Sequence, residues 1–373
     1  MSEKDIVRWA DSAMYTAEPI DAEAGPKVYL LWMTPDPLGA VAAACKIYKG
    51  EVVRSLSDVT DAERDEYFKE VQKTHLKAPL EFVKFHFMIE GVTRAFTHQM
   101  VRQRTAVYAQ ESLRFAVKED LPMGLPASLA GSTGEMMKIR WEVIQKYGQL
   151  VRYETNPADH AEQPRDFHPS WVEWHGRTAG LSDLERKRYR WDLKVERIRE
   201  DYLALIDDGM PAEDARGLLP HNVLTRLHYS TDLRALLEHS GNRLCTQAQF
   251  EWRLVFSRIA EVIRNHDPYQ GLIRDYPGAD QEESPGARER WQFNEIAGMF
   301  RPICYQTGKC EFKANFDRPC SIRERVDMNE LMGRSSSEWH KSGPVMVAPG
   351  GAKYDSVQPI QPAEWLLDSG AAR

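Results

Sequence analysis

Three arginines and a single acid lie in the segment VRQRTAVYAQESLRF (101–115), within a chain whose formal net charge is −7. Guanidinium groups bind phosphate through pairs of parallel hydrogen bonds, and glutamine and serine supply neutral donors beside them. The polar side chains in and just before this segment are Gln99, Arg102, Arg104, Ser112 and Arg114. This combination predicts a site for a nucleotide with more than one phosphate contact. The alternative is a solvated helix end whose arginines pair with acids elsewhere.

The order and spacing of these residues favour the nucleotide site. The segment resembles the signature of the flavin-dependent thymidylate synthases, R-H-R-x-x-S-x-N-x-x-S-x-R. The matching residues are Arg102, Arg104, Ser112 and Arg114, whereas Gln103, Val107 and Ala109 replace the family's His, Ser and Asn. Because this match is incomplete, the rest of the chain has to support it.

Two segments upstream are similar to the same family. HLKAPLEF (75–82) resembles the family's H-x-T-P-x-E-H segment, with Pro79 and Glu81 retained and Phe82 in place of the second His. DPLGAVAAACKIY (36–48) resembles the family's opening helix. Both occur in the family's order.

A long downstream segment, 215–253, is similar to the family's second half. The matching residues are Ala215, Arg216, Leu219, Pro220, Thr225, Arg226, Arg234, Arg243, Ala248 and Gln249. The resemblance then extends over roughly 26–270. Two distant blocks in the correct order are difficult to explain by chance.

Members of this family methylate the uracil of dUMP with FAD, methylenetetrahydrofolate and NADPH, and they are homotetramers whose sites are shared between subunits. The resemblance therefore implies an α+β fold with a mixed or antiparallel sheet and packed helices. By position, the residues expected at dUMP are Gln99, Arg102, Gln110, Glu111, Ser112, Arg114, Arg216 and Arg243. Those expected at FAD are Arg102, Gln103, Arg104, Gln110, Asp232, Arg234 and Glu238, and no metal site is expected.

Arg243 matches the family's catalytic arginine. Uracil C5 is a poor nucleophile until electron density moves toward it, and a cation near the N3–O4 edge stabilises the negative charge that develops in the ring. An arginine remains charged in proteins and cannot act as a base, so its role is electrostatic. The cofactors carry the redox and one-carbon chemistry. No protein nucleophile is required.

The departures from the family pattern leave other functions open. Gln110 replaces a Glu usually found at the nucleotide, which removes a negative charge near the base. Cytosine presents an amino donor at C4, so a methylase or hydroxymethylase of dCMP is one alternative. Gln103, unlike His, cannot become cationic. A non-catalytic nucleotide-binding homologue is a second alternative, and an RNA-binding module is a third.

Hydrophobic periodicity and capping residues predict the elements that position these side chains. Strands are predicted over 27–33, 80–90 and 222–230. Helices are predicted over 38–48, 61–74, 91–101, 184–210, 211–219, 231–241 and 246–263. We expect a loose leader over 1–26, a synthase-like domain over 27–274 with a weakly patterned insertion at about 118–185, and a C-terminal extension over 275–373 whose last 40 residues have the composition of a tail or extended arm.

Composition limits the partners and the location of the protein. Apolar residues make up 42% and charged residues 28% of the chain, as in globular proteins. The acidic balance argues against binding to nucleic acid or an anionic membrane surface. No apolar run reaches the roughly 20 residues of a membrane helix, and the N-terminus lacks a signal peptide's apolar core. We therefore expect small-molecule partners, no nucleic acid, no membrane and a cytoplasmic location.

The chain has five cysteines, an odd and sparse number that does not predict a disulfide framework. Cys45 lies in an apolar helix and is expected in the core. Cys304, Cys310 and Cys320 are spaced too widely for the short pairs of a zinc site, so ordinary packing thiols are favoured over metal ligands.

Overall fold

The computed structural model describes residues 15–16, 19–22, 25–148, 169–245, 248–266 and 285–304. The chain divides into two compact units. We call residues 1–19 with 112–223 the helical unit, and residues 20–111 with 224–373 the sheet unit. Within the described ranges, no helix is both long enough and apolar enough to cross a lipid bilayer.

Strands and helices follow each other along the described chain in an α+β arrangement. The strands are β1 (Tyr15–Thr16), β2 (Lys27–Met33), β3 (Lys84–Thr93), β4 (Ala106–Gln110), β5 (Ala116–Val117) and β6 (Leu224–Asp232). The helices are α1 (Pro37–Tyr48), α2 (Asp61–Lys73), α3 (Arg94–Met100), α4 (Glu135–Tyr147), α5 (Pro169–Thr178), α6 (Asp183–Asp207), α7 (Ala212–Ala215), α8 (Leu233–Arg243), α9 (Phe250–Arg264) and α10 (Pro285–Gly298). Short 3-10 turns span Leu56–Asp58, Ala78–Phe82, Ala127–Leu129 and Arg216–Leu218.

The sheet unit is built on a four-stranded antiparallel sheet with the strand order β2-β3-β6-β4. Side chains alternate between the two faces of a strand, and Phe85, Phe87 and Ile89 of β3 are all fully buried on the inner face. A bulge interrupts the pairing of β3 with β6 at Gly91, where φ is +73°. A side chain there would also approach the carbonyl oxygen of Gly25 to 3.0 Å, so glycine suits the position.

Helices α1, α2, α8, α9 and α10 contribute buried residues to the same core as the inner face of the sheet. Phe68, Trp252, Phe256 and Phe293 are fully buried there. Capping side chains fix the helix starts that lead to the site. Asp232, at the end of β6, accepts a hydrogen bond from the backbone N–H of Ala235 at 2.9 Å and so begins α8.

Among its described residues, the helical unit contains three clusters of buried residues of its own. In one cluster, Ile139 and Val143 of α4 pack with Trp174 of α5 and Tyr189 of α6. In another, Tyr202 near the end of α6 packs with Ala212 and Ala215 of α7. The two-residue strands β1 and β5 pair in parallel in this unit. These contacts position α7 and the turn that follows it, which carries Arg216.

Most of the predicted elements are confirmed, with shifted boundaries. The strand predicted from 80 begins at Lys84, because 78–82 forms a 3-10 turn with Pro79 in its first turn. The helix predicted over 91–101 begins at Arg94, since β3 continues to Thr93, whose hydroxyl caps the helix. Cys45 is buried in the core as expected. Cys310 and Cys320 lie outside the described residues.

Two segments for which the sequence predicts no helix contain helices. The segment 118–185 contains α4 and α5, and α4 buries Ile139 and Val143 at a helical spacing of four. The C-terminal extension contains α10, whose Phe293, Ile296 and Ala297 are buried in the core of the sheet unit. In both segments the many charged, Gly and Pro residues make the apolar face of the helix difficult to recognise in the sequence. The packing of the buried residues identifies it.

Candidate functional site

A chain of hydrogen bonds connects Trp252 to Glu251 through two glutamine side chains in the sheet unit. The indole Nε1–H of Trp252 donates to Oε1 of Gln99 at 3.0 Å, and Nε2 of Gln99 donates to Oε1 of Gln249 at 2.8 Å. Nε2 of Gln249 then donates to Oε2 of Glu251 at 3.2 Å. The chain brings Gln99, expected at the nucleotide, into contact with the start of α9.

The direction of these hydrogen bonds is determined at both ends. An indole N–H can only donate, so the oxygen of the Gln99 amide must face Trp252. At the other end, the carboxylate of Glu251 accepts from the backbone N–H and the hydroxyl of Thr93, at 2.6 Å each. Burial raises the pKa of Glu251, and the hydrogen bonds from Thr93 act in the opposite direction. Both glutamine amides are therefore held in one orientation.

The guanidinium of Arg243 lies over the ring of the same tryptophan. Its Cζ is 4.5 Å from the ring centroid of Trp252, and its Nε donates to Nε2 of His239 at 3.3 Å. Burial, followed by the charge of Arg243, lowers the pKa of His239 to about 4, so the imidazole is neutral near pH 7 and can accept this bond. Burial also lowers the pKa of Arg243. Within the described part of the chain, no carboxylate forms an ion pair with Arg243.

Arg102 and Arg104 lie in the turn between α3 and β4 and are exposed. Within the ranges that the structure describes, their guanidinium groups have no hydrogen-bond or ion-pair partner. An exposed arginine without an acid partner retains its full capacity to bind an anion, since no carboxylate has to be displaced first. The two residues are suited to phosphate in this respect.

Three of the expected ligand-binding residues near this turn hold parts of the sheet unit together. Gln103 donates to the backbone carbonyl of Ala235 at 3.3 Å and accepts from the hydroxyl of Tyr229 at 3.0 Å. Gln110 donates to the hydroxyl of Thr97 at 2.9 Å. The backbone N–H of Glu111 donates to the carbonyl of Arg226 at 3.1 Å, and its backbone carbonyl accepts from Arg94 at 2.7 Å, while its carboxylate accepts from the hydroxyl of Thr225 at 3.4 Å. These residues are held by contacts with helices and strands of the sheet unit.

The acidic residues expected at the flavin lie around the start of α8. Asp232 caps that helix, and its second carboxylate oxygen lies 3.3 Å from Nζ of Lys84. Arg234 pairs with Glu81 at 2.7 Å and with Glu238 at 3.0 Å. Arg234 is therefore compensated by two carboxylates, unlike Arg102 and Arg104.

The helical unit holds the remaining expected residues. Nη2 of Arg114 donates to Oε2 of Glu213 at 2.9 Å, and Nη2 of Arg216 lies 3.9 Å from Oε1 of the same carboxylate. The hydroxyl of Ser112 accepts from the backbone N–H of Arg114 at 3.2 Å, which orders the turn. One acid thus brings together two arginines that are 102 positions apart in the sequence, counted from 114 to 216.

Sequence reasoning placed Gln99 and Arg243 among the site residues but missed what connects them. For Trp252 the sequence predicts only a place in the helix over 246–263, and it does not single out Glu213. The one available signal for Glu213 was its helical i, i+3 spacing to Arg216. Trp252 carries no comparable signal. Among the described residues, no group of three or more His, Cys, Asp or Glu side chains is placed to hold a metal ion.

Comparison with known proteins yields one family. A family model described as "Thymidylate synthase complementing protein" matches residues 29–269. The chain is 28% identical over 287 residues to a protein named flavin-dependent thymidylate synthase from Geobacter sulfurreducens, and the match covers 74% of this chain and 99% of that protein. It is 26% identical over 250 residues to a protein of the same name from Pyrococcus furiosus, covering 66% and 83% of the two chains.

Solved structures are also similar to this chain, at lower identity. A flavin-dependent thymidylate synthase from Helicobacter pylori complexed with FAD and dUMP matches at 16% identity and a TM-score of 0.41, over 67% of this chain and 98% of that chain. A UMP/dUMP methylase from Streptomyces cacaoi bound with 5-Br dUMP matches at 18% identity and a TM-score of 0.43, over 66% and 94% of the two chains.

Proposed function

Because the chain belongs to the family of flavin-dependent thymidylate synthases, we propose that it methylates dUMP to dTMP with FAD, methylenetetrahydrofolate and NADPH. The observation that carries this proposal is the placement of Arg243. Its half-buried guanidinium has no acid partner among the described residues and lies against an aromatic ring beside Gln99. An uncompensated cation in a partly dry environment stabilises developing negative charge more strongly than one in water.

In the proposed reaction, Arg243 faces the pyrimidine and acts on its charge. As electron density moves toward C5, negative charge accumulates along the N3–O4 edge, where the guanidinium stabilises it. Neutral His239 accepts from Nε of Arg243 and so fixes the plane of the guanidinium without cancelling its charge. Gln99, oriented by Trp252 and Gln249, contributes a neutral contact to the nucleotide.

The flavin supplies hydride chemistry when it is bound. One feature of the sheet unit supports the binding of such a group. Arg102 and Arg104 are exposed cations without partners in the described ranges, and FAD carries a pyrophosphate. We propose that these two arginines bind phosphate, and that Gln103, Asp232, Arg234 and Glu238 bind the polar parts of the cofactor. Asp232 and Glu238 would repel phosphate and therefore suit hydroxyl or N–H groups.

In the helical unit, we propose that Arg114 and Arg216 bind the 5′-phosphate of the nucleotide. Their shared contact with Glu213 supports this role, because a phosphate presents the same kind of acceptor oxygens to two guanidinium groups as a carboxylate does. Ser112 of the same unit adds a hydroxyl donor. Gln110 and Glu111, in the sheet unit, remain proposed nucleotide contacts by position.

The alternative substrate is dCMP, and one observation supports testing it beside dUMP. Gln110 carries a neutral amide, bonded to Thr97, where the family has a Glu. Purified protein should be incubated separately with dUMP and dCMP, each with methylenetetrahydrofolate and NADPH, and the products identified by mass spectrometry. A methylated product from dUMP alone supports the proposal. A product from dCMP alone, or a hydroxymethylated product, contradicts it.

Flavin binding separates the enzyme from a non-catalytic homologue. Protein with bound FAD absorbs near 450 nm in the oxidised state, and this absorbance should bleach on addition of NADPH. A colourless protein that neither takes up added FAD nor responds to NADPH would contradict the proposed function.

We propose that the protein assembles as a homotetramer with shared sites, as its resemblance to the family implies. The two edge strands of the sheet support this proposal, since Tyr29, Leu31 and Trp32 of β2 and Val107 of β4 are 44–72% exposed. Light scattering coupled to size exclusion measures the mass directly, and a monomeric mass near 42.9 kDa at micromolar concentration would contradict the assembly.

A further inference from the structure

Trp252 contacts both residues that we propose to face the pyrimidine. It is fully buried in α9, its indole N–H donates to Gln99, and its ring lies beneath the guanidinium of Arg243. These are two different interactions made by two different parts of one side chain. A residue that only filled the core would need neither of them.

The surroundings of Trp252 hold its ring in one place. The ring centroid of Phe96 lies 4.3 Å away, that of His239 lies 4.8 Å away, and that of Phe256 lies 5.8 Å away. Close packing on these sides prevents the indole from rotating without displacing its neighbours. Its N–H and its π face therefore point in fixed directions.

Each of these directions determines the orientation of one partner. The N–H determines which end of the Gln99 amide faces inward, since a donor can only meet the carbonyl oxygen. The π face attracts the cation of Arg243 and favours a guanidinium that lies over the ring. This cation–π attraction is stronger when it is shielded from water. Glu251 and Thr93 determine the same polarity from the other end of the hydrogen-bond chain.

We propose that Trp252 is a positioning residue that holds Arg243 and Gln99 in their orientation toward the pyrimidine. This inference rests on the proposed function, but the placement of the two side chains can be tested without any substrate. Trp252 touches neither substrate nor cofactor in this proposal and acts through the two residues. The ring positions Arg243, and the indole N–H positions Gln99.

The two roles can be separated with two substitutions. Trp252→Phe keeps an aromatic ring beneath Arg243 and removes the N–H, whereas Trp252→Leu removes both. Phe68→Leu serves as the matched control, because Phe68 is an equally buried aromatic residue of the same core that lies on α2. The melting temperature of each variant reports the loss of packing.

We expect Trp252→Phe to raise the KM for dUMP about 5–10-fold, the effect of one hydrogen bond, while kcat stays within about threefold of wild type. Trp252→Leu should also lower kcat, about 10-fold or more, since Arg243 loses the aromatic ring that holds it in place. Phe68→Leu should lower the melting temperature and leave both constants unchanged. If the Trp252 variants change only the melting temperature, the inference is wrong.

A double-mutant cycle with Gln99→Ala tests the hydrogen bond directly. If Trp252 acts through Gln99, adding Gln99→Ala to Trp252→Phe should raise the KM less than twofold further, whereas independent effects would multiply. Because Trp252→Phe retains most of the packing, this cycle remains informative even if Trp252→Leu does not fold. Multiplicative effects would overturn the inference.

Crystal structures of the unliganded wild type and Trp252→Phe separate this inference from the proposed function. In Trp252→Phe we expect the Gln99 side chain to shift from its wild-type position, because it keeps only its bond to Gln249, and we expect Arg243 to remain over the ring. Unchanged placement of Gln99 would overturn the inference, whatever the activity. Absence of methyl transfer by the wild-type protein would instead contradict the proposed function, and the structures would still decide the role of Trp252.

Discussion

Arg114 donates a hydrogen bond from Nη2 to the carboxylate of Glu213 at 2.9 Å in the helical unit. Arg216 approaches the other oxygen of the same carboxylate at 3.9 Å. All three side chains are between 38% and 49% exposed, so each pair contributes no more than about 1 kcal/mol to stability. The Glu213 carboxylate is nevertheless already paired with the two guanidinium groups that we propose to bind phosphate.

Glu213→Gln should therefore tighten nucleotide binding. Removing the negative charge frees both arginines for the phosphate of dUMP, and we expect the Kd for dUMP to fall about two- to fivefold at low salt. Isothermal titration calorimetry at low and high ionic strength measures the change. The gain should shrink at high salt, because screening weakens the competing ion pairs.

Glu142→Gln is the matched control for this prediction. Glu142 forms an exposed ion pair with Arg177 at 2.6 Å in the same unit, away from the expected site residues in the sequence. If both variants tighten dUMP binding equally, the effect comes from net charge alone and the role of Glu213 is wrong.

Arg243→Ala should abolish methyl transfer and leave FAD bound. Losing a preorganised cation at the developing charge costs on the order of 10²–10³ in kcat. Arg243→Lys keeps a charge but not the planar fork that lies on Trp252, so we expect it to recover only part of the activity. Steady-state kinetics with dUMP and the flavin absorbance of each variant provide the measurement. Normal turnover by Arg243→Ala would rule out this arginine as the catalytic cation.

His239 should make the protein less stable as the pH falls from 6.5 to 4. Burial lowers the pKa of His239 to about 4 in the folded protein, from the 6.5 of an ordinary histidine. Between these values the unfolded chain binds more protons than the folded protein, so acid favours unfolding. The stability is fully present above pH 6.5 and declines below it, by on the order of 2 kcal/mol at pH 5.

Urea unfolding at pH 7.5 and pH 5 measures this decline. His239→Gln cannot titrate, so its stability should fall less than that of the wild type between the two pH values. His75→Gln, a change at an exposed histidine, controls for the substitution itself. Equal pH dependence in wild type and His239→Gln would show that His239 does not contribute.

Asp36→Ala should destabilise the sheet unit by about 2 kcal/mol. Asp36 caps α1 by accepting from the backbone N–H of Gly39 at 3.0 Å, and it pairs with Arg64 at 2.7 Å. The side chain of Arg64 is only 12% exposed, so the change leaves a buried cation with less compensation. Asp65→Ala, which breaks an exposed pair with Lys69, should change the free energy of unfolding by less than about 0.5 kcal/mol.

The local elements could largely be predicted from the sequence, because they depend on neighbouring residues. Thr60 and Glu63 form the capping box that begins α2, and Asp232 caps α8, so both helix starts follow from residues within one turn. The resemblance to the family rested on the order and spacing of the matching motifs, and the α+β class was what that resemblance implied. The same local reasoning failed for α10, because its buried residues interrupt a stretch otherwise rich in charge, Gly and Pro.

The arginine-rich segment and the resemblance identified the site residues by type, but tertiary structure decided which of them meet and what holds them. Gln99 and Trp252 are 153 positions apart, and Arg114 and Glu213 are 99 apart. No pattern within a helix or strand encodes such pairs, since they arise when separate elements pack against each other. The sequence by itself determined which residues can bind an anion. Only the fold decided that Arg243 lies over Trp252 without an acid partner in the described chain. It also decided that Arg114 and Arg216 share one acid, Glu213.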